Sequence, residues 1–379
     1  MMRNTLAAAA AILVLASSCG LARGQRAKAD LVPTAGIVLD AAGRNDRAVN
    51  QAVYEAAVSV VSSVRGRIVA DENANFGGNL EIRILEVGVD GGERRELLRM
   101  LAEEKRDLVI AVGYLFSESL AAVARDYPDT SFVLIDGHVP DLDGSSNVSC
   151  VSFADQEGAF LAGAYAGMLA ARAGEGSKIG FLGGLDMPVA RGALAGFSSG
   201  AAWTNPGLRE TGMVLSGFVG RDASAYNDPK RAEEYASIFY RTSNAILVFH
   251  TAGASGTGVF KSAARYGRLA IGSDMDQAAE YAASDDPELA ALAPVIMGSV
   301  IRNVGPVVRD QCMAIMQDMP FKGGYTVLGL ANGGVDFVSA SMDAADKTAI
   351  SGLRKLIQNG DIVVPYTDQG ARAFIDGLW

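Results

Sequence analysis

Apolar residues fall in short solid blocks along this chain, and between the blocks they recur every three or four positions. The block at 35–39 (Ala-Gly-Ile-Val-Leu) is followed by 46–64, where Val49, Val53, Ala56, Ala57, Val60 and Val61 share one helical face. The same alternation predicts strands over 81–87, 108–112 and 132–135, with amphipathic helices over 93–105 and 117–126 between them. A second series follows. Strands are predicted over 148–153, 178–182, 212–218 and 245–249, and one more ends at Gly272-Ser273-Asp274. Helices are predicted over 156–172, 188–203 and 228–241, and another reaches Tyr266. Asp228-Pro229 marks a helix start, because Asp caps free amides and proline fits the first helical position. Strands this short and apolar, each followed by a helix, predict parallel sheets covered on both faces. The expected fold class is therefore α/β, with two doubly wound lobes whose ligand-facing edges lie at the carboxyl ends of the strands. Polar residues gather at those ends: Asp40, Gly113-Tyr114, Asp136, Gly183-Gly184, Gly253 and Asp274.

The first residues break this pattern. One positive charge, Arg3, precedes an apolar run over 5–15, then Ala16-Ser17-Ser18 and Cys19. A charged start, a short apolar segment and a small-residue cleavage site predict a removed signal peptide over 1–18. The run is shorter than the roughly 20 residues that span a bilayer. A cysteine directly after small residues predicts lipidation at Cys19, although Leu15 lies one position further upstream than that signal usually has it; a simple secretory signal is the alternative. Several acyl chains hold a protein to a membrane where a single chain is marginal. Residues 19–30 then read as a flexible stalk, and no later apolar run is long enough to cross a membrane.

Roughly 350 residues follow the leader, too many for one ordinary core, which predicts two lobes. The net charge of −10 argues against nucleic acid as a partner. His138 and His250 are the two histidines of the chain, far apart and outside any metal-ligand spacing, so no metal is expected. Beyond Cys19 the cysteines are Cys150 and Cys312, read as buried free thiols, with a disulfide between them the alternative in an oxidising compartment.

Three local patterns carry candidate chemistry. Gly196-Phe197-Ser198-Ser199-Gly200 matches the G-x-S-x-G pattern of hydrolases, but it falls inside a predicted helix rather than on a strained strand-to-helix elbow. A hydrolase using Ser198 with His250 is thus the weaker alternative. Gly253-Ala254-Ser255-Gly256-Thr257-Gly258 follows a strand and fits neither the dinucleotide nor the Walker pattern; it reads as a loop whose amides approach a ligand, or as a plain tight turn. Asp46 and Asn50, four apart, share a helix face and offer acceptors and an amide to a cleft. Tyr114, at a strand end, and Tyr226, in a loop, are the better aromatic candidates for ligand contact.

Taken in order, these segments resemble the basic membrane protein family, also called PnrA-like solute-binding lipoproteins. Asp46-Arg47-Ala48-Val49-Asn50-Gln51 is similar to that family's D-K-S-F-N-Q motif. Gln156 to Gly163 is similar to its E-G-S-F-L-x-G helix. Residues 178–184, 253–259, 271–277 and 299–302 match in turn. The resemblance implies a type I periplasmic-binding-protein fold, a small-molecule solute, delivery to an ABC transporter permease, no enzymatic activity, no cofactor and a monomer. It implies lobe 1 over 31–153 plus 278–325, and lobe 2 over 154–277 plus 326–379. It places the ligand-holding acids at Asp46, Asp136 and Asp274. Arg302 stands at the family's lysine position, and the later stacking aromatic falls at Tyr226. With Asn50, Tyr114 and Gly253 these form the expected binding set. Family members typically bind purine nucleosides. The first stacking Phe is Val49 here, which widens the pocket and removes a contact of about 0.5–1.5 kcal/mol. One branch of the family binds riboflavin, whose three-ring system is larger, and riboflavin is the expected cargo ahead of a purine nucleoside.

Overall fold

The computed structural model describes residues 32–69, 78–88 and 90–378. Cys19, the leader and the whole of the expected stalk lie outside the described residues. Among the described residues thirteen strands form two sheets. The first holds β1 (Thr34–Leu39), β2 (Arg67–Val69), β3 (Glu81–Glu86), β4 (Leu108–Val112), β5 (Ser131–Ile135), β6 (Val148–Phe153) and β12 (Gly324–Leu328), in the order β12-β6-β5-β4-β1-β3-β2. The second holds β7 (Lys178–Leu185), β8 (Val214–Gly220), β9 (Ala245–Thr251), β10 (Leu269–Asp274), β11 (Ile296–Arg302) and β13 (Val335–Val338), in the order β13-β11-β10-β9-β7-β8. Every pairing is parallel except that of β13 with β11.

Helices cover both faces of each sheet. On the first sheet, α1 (Val49–Val64) and α10 (Val304–Met316) pack over Ile37, Ile110 and Val112, while α2 (Arg94–Glu103) and α3 (Ser117–Asp126) pack over Val38, Val109 and Ala111. Neighbouring residues of one strand thus enter opposite cores, which is the period-two geometry of a strand. On the second sheet, α4 (Asp155–Ala173) and α5 (Pro188–Thr204) cover the Phe181 and Phe249 face, and α6 (Pro229–Ser237) and α7 (Gly256–Tyr266) the Leu182 and Val248 face. Two short helices, α8 (Gln277–Ala282) and α9 (Pro287–Ala290), precede β11, and α11 (Ala344–Gln358) and α12 (Asp368–Asp376) close the second lobe. This is the type I periplasmic-binding-protein architecture.

The chain changes lobe three times: between Phe153 and Asp155, at Asn303, and between Leu328 and Val335. The expected division needs correcting here. Segment 278–302 belongs to lobe 2, because β11 extends the parallel sheet beside β10, and 326–328 belongs to lobe 1, because β12 pairs with β6. The crossovers are tied together: Ala154 N donates to Leu328 O at 2.8 Å, and Asn303 N donates to Gly334 O at 2.8 Å.

The G-x-S-x-G segment has a packing explanation. A Cβ on Gly196 or Gly200 would overlap the main-chain carbonyl oxygens of Gln156 and Phe160 on α4. These two glycines let α5 lie directly against α4, and Ser198 sits mid-helix without an elbow. Cys150 and Cys312 are both free and buried.

Candidate functional site

The carboxyl ends of the central strands from both lobes meet around one cavity of about 200 Å³. All eight expected binding residues line it: Asp46, Asn50, Tyr114, Asp136, Tyr226, Gly253, Asp274 and Arg302. Val49 lines it too, on the wall where the resembling motif carries a phenylalanine.

Arg302 organises the floor. It closes β11 at the second crossover, and its guanidinium reaches carboxylates from three parts of the chain. Nε and Nη2 form a fork on Asp155, at 2.8 and 2.6 Å. Nη1 lies 2.8 Å from Asp136 and 3.2 Å from Asp274. Asp155 starts α4 at the first crossover, Asp136 directly follows β5 in lobe 1, and Asp274 ends β10 in lobe 2. One side chain therefore binds both lobes to the hinge. Asp136 and Asp274 both adopt positive φ, 59° and 72°, which turns their side chains off the strand ends. Burial raises both carboxyls above the usual range, Asp136 to about 6, and Arg302 counteracts it. Burial also disfavours the charge on Arg302, but the three carboxylates outweigh it and hold its pKa well above the ordinary value.

Asp46 and Asn50 share a face as expected, yet much of their hydrogen bonding is internal. The Asp46 carboxylate accepts from the amides of Ala48, Asn50 and Gln51 and from Asn50 Nδ2, at 2.8 to 3.3 Å. It thereby caps the helix from outside, so α1 begins at Val49 rather than at 46. Asn50 Oδ1 accepts from Asp40 N at 3.0 Å, which pins the helix to the end of β1. Burial pushes the Asp46 carboxyl up to about 6 against these hydrogen bonds. On the same rim Asp40 pairs with Arg94, with Nε at 2.9 Å.

Tyr226 forms the lobe 2 wall. A Cβ on Gly184 would overlap its ring, and Gly253, at φ 54°, also lies behind it, so two glycine backbones press the ring into place. Its hydroxyl meets Met187 Sδ at 3.7 Å. Burial, then the nearby Asp136, pushes its pKa up to about 12. The glycine-rich segment is only partly what the sequence suggested. Gly253 lines the cavity, but Gly256 makes room for the His250 ring and Gly258 for the start of α6. His250 is fully buried, and burial lowers its pKa to about 4.

The lobes also touch beside the cavity. Gln51 Nε2 donates to Glu280 at 2.8 Å, Gln277 Nε2 donates to Arg47 O at 2.7 Å, and the Arg47 guanidinium lies 5.4 Å from the Tyr281 ring centre.

Sequence reasoning missed Asp155, Arg94, Thr251 and Ser273, all of which line the cavity. Asp155 stood immediately before a quoted motif, and an acid opening a helix was the available signal. The lining holds five carboxylates, Asp40, Asp46, Asp136, Asp155 and Asp274, against two guanidiniums, Arg94 and Arg302. Such a floor accepts hydrogen bonds from a neutral solute and repels an anion. Among the described residues no cluster of metal-ligating side chains occurs, and no helix is long and apolar enough to cross a membrane.

A sequence model of the family described as "ABC transporter substrate-binding protein PnrA-like" matches residues 34–368. The chain is similar to the "ABC transporter nucleoside-binding protein BmpA" of Lactococcus lactis subsp. cremoris, with 27% identity over 90% of each chain. It is also similar to "Basic membrane protein A" of Borreliella burgdorferi, with 27% identity over 73% of this chain and 76% of that one. Among solved structures, an ABC transporter solute-binding protein from Aeropyrum pernix K1 superimposes with a TM-score of 0.73 at 20% identity, over 91% of this chain and 97% of that one, a likeness of fold.

Proposed function

The chain belongs to the family of PnrA-like ABC transporter substrate-binding proteins, and on that premise we propose that its cleft captures a neutral heteroaromatic solute carrying hydroxyl groups. The observation that carries this reading is the excess of carboxylates around Arg302 opposite the glycine-backed ring of Tyr226. Ionised carboxylates accept from hydroxyl and ring N–H donors. A tyrosine face stacks on a flat heterocycle. A purine nucleoside supplies both, and the relative from Lactococcus is named for binding nucleosides. Riboflavin is the second reading, and Val49 favours it: a valine on the cavity wall leaves room that a stacked phenylalanine would fill.

No bond is made or broken in this function. The lobes close about the three crossovers, Arg302 gathers acids from both lobes, and the closed surface is presented to a permease. An acyl anchor at Cys19 would keep the protein beside that permease on the outer face of a membrane.

Calorimetric titration with guanosine, inosine, adenosine, riboflavin and their monophosphates tests the reading. The neutral compounds are expected to bind and the monophosphates to bind at least tenfold more weakly, a difference of about 1.4 kcal/mol. Equal or tighter binding of the monophosphates would sink it. Val49→Phe then separates the two cargoes, since it should weaken riboflavin and spare nucleosides. Mass spectrometry of the intact exported protein, with and without a Cys19→Ser change, tests the anchor.

A further inference from the structure

Gln277 opens α8 in lobe 2, shortly after β10 ends at Asp274. Its side chain is buried, and its amide reaches both lobes. The amide oxygen accepts from Ser273 N at 3.0 Å, within lobe 2. The amide nitrogen donates to Arg47 O at 2.7 Å, in the turn before α1 of lobe 1. A Cβ on Gly272 would overlap the amide oxygen, so that glycine makes the room it occupies. The main chain is fixed as well, since Gln277 N donates to Ser299 Oγ on β11 at 3.1 Å. Both ends of this bridge lie next to cavity acids: Arg47 follows Asp46, and Ser273 precedes Asp274. A second bond crosses about one turn further along each helix, where Gln51 Nε2 on α1 donates to Glu280 on α8 at 2.8 Å. Beside it the Arg47 guanidinium lies 5.4 Å from the centre of the Tyr281 ring, whose hydroxyl is held by Thr257 Oγ1 at 2.5 Å. Gln277, Gln51, Glu280 and Tyr281 all stand outside the cavity lining.

Resting on the function proposed above, we infer that Gln277 is a positioning residue for solute capture: together with the Gln51–Glu280 contact it forms a clasp between the start of α1 and α8 that holds the lobes closed and sets how long the solute stays. The bridge runs from the residue after Asp46 to the residue before Asp274, so it also fixes the spacing of the two walls that carry those acids. Its bonds form as the lobes come together, after the solute has been met. Their loss therefore speeds reopening and leaves encounter unchanged. Because the clasp touches no solute atom, its effect is the same for every solute that binds.

Stopped-flow kinetics at pH 8 with guanosine, inosine and riboflavin test this, comparing the wild type with Gln277→Glu and Glu280→Ala. Gln277→Glu keeps an oxygen for Ser273 N and loses the donor to Arg47 O. Glu280→Ala removes the acceptor of Gln51 from a half-buried helix position that tolerates alanine. For each solute that binds, the dissociation rate should rise about tenfold in Gln277→Glu and about threefold in Glu280→Ala, with association rate constants within about twofold of wild type. The factor for a given variant should be the same for any two solutes. Dissociation unchanged in both variants overturns the inference, as does a loss carried by association alone. A factor that differs between guanosine and inosine also overturns it, since Gln277 would then be reading the solute. Each of these results leaves the proposed function intact. Should Gln277→Glu fail to fold, Glu280→Ala decides alone. A wild-type protein that binds none of the three solutes overturns the underlying reading and this inference with it.

Discussion

Replacing Arg302 by glutamine tests the organisation of the site most directly. The side chain keeps much of its length but loses the charge and the fork. In the native protein one guanidinium stands against Asp136, Asp155 and Asp274, with its nearest approaches at 2.6 to 3.2 Å. A single unit-charge pair 3.2 Å apart, in surroundings of effective dielectric about 20, attracts by about 5 kcal/mol before desolvation is counted. The net effect is smaller, since all four groups are largely withdrawn from water. Removing one partner from a buried ion cluster costs about 3–5 kcal/mol, because the remaining charges stay behind unpaired. In a chain of this size that lowers the unfolding midpoint by roughly 5–10 °C at neutral pH.

The pH dependence distinguishes this mechanism from loss of shape. A carboxyl whose folded pKa is raised, as at Asp136 to about 6, binds more protons folded than unfolded across the interval from its ordinary value up to that pKa. Stability therefore falls as pH rises through that interval. Without Arg302 the Asp136 and Asp274 carboxyls move further up, so the decline should extend beyond pH 6 in the variant. Scanning fluorimetry at pH 5, 7 and 8.5 should find Arg302→Gln closest to wild type at pH 5 and furthest at pH 8.5. Arg302→Lys should fall between, since a lysine supplies the charge without the bidentate geometry. An unchanged midpoint, or a loss of equal size at every pH, would refute the reasoning.

Three further outcomes are expected. Solute affinity should drop about tenfold between pH 7.5 and 5 in calorimetry, because Asp136 takes up a proton near pH 6 and then accepts less well; a flat profile would mean that its carboxylate does not touch the solute. Asp46→Ala should lower stability by about 2–3 kcal/mol in chemical denaturation, since three main-chain amides and Asn50 Nδ2 lose their acceptor together; a loss under 0.5 kcal/mol would show the cap to be dispensable. Gly200→Ala should cost more than 3 kcal/mol or abolish soluble expression, whereas Ser198→Ala should change neither stability nor binding, and the reverse result would return the G-x-S-x-G segment to a catalytic reading.

The alternation of apolar blocks and helical faces was sufficient for the α/β class, because strands buried on both sides must be continuously apolar and each must be followed by a covering helix. It also placed Asp136, Gly253 and Asp274 at strand ends, which in a parallel doubly wound sheet face one edge. What local pattern could not supply was pairing between distant segments. That β11 joins lobe 2 and β12 joins lobe 1 follows from hydrogen bonds to β10 and β6, which no window of sequence contains. Asp155 meets Arg302 across 147 residues, so its place in the site arises only where two crossovers lie side by side. The glycine motifs show the same limit in reverse. Their spacing is local, but whether a missing side chain admits a ligand or a neighbouring helix depends on what packs there: α4 against Gly196 and Gly200, the Tyr226 ring against Gly184. Residue chemistry and period were written in the chain, while partners, and with them the roles of Asp46, Asp155 and Arg302, were decided by tertiary contact.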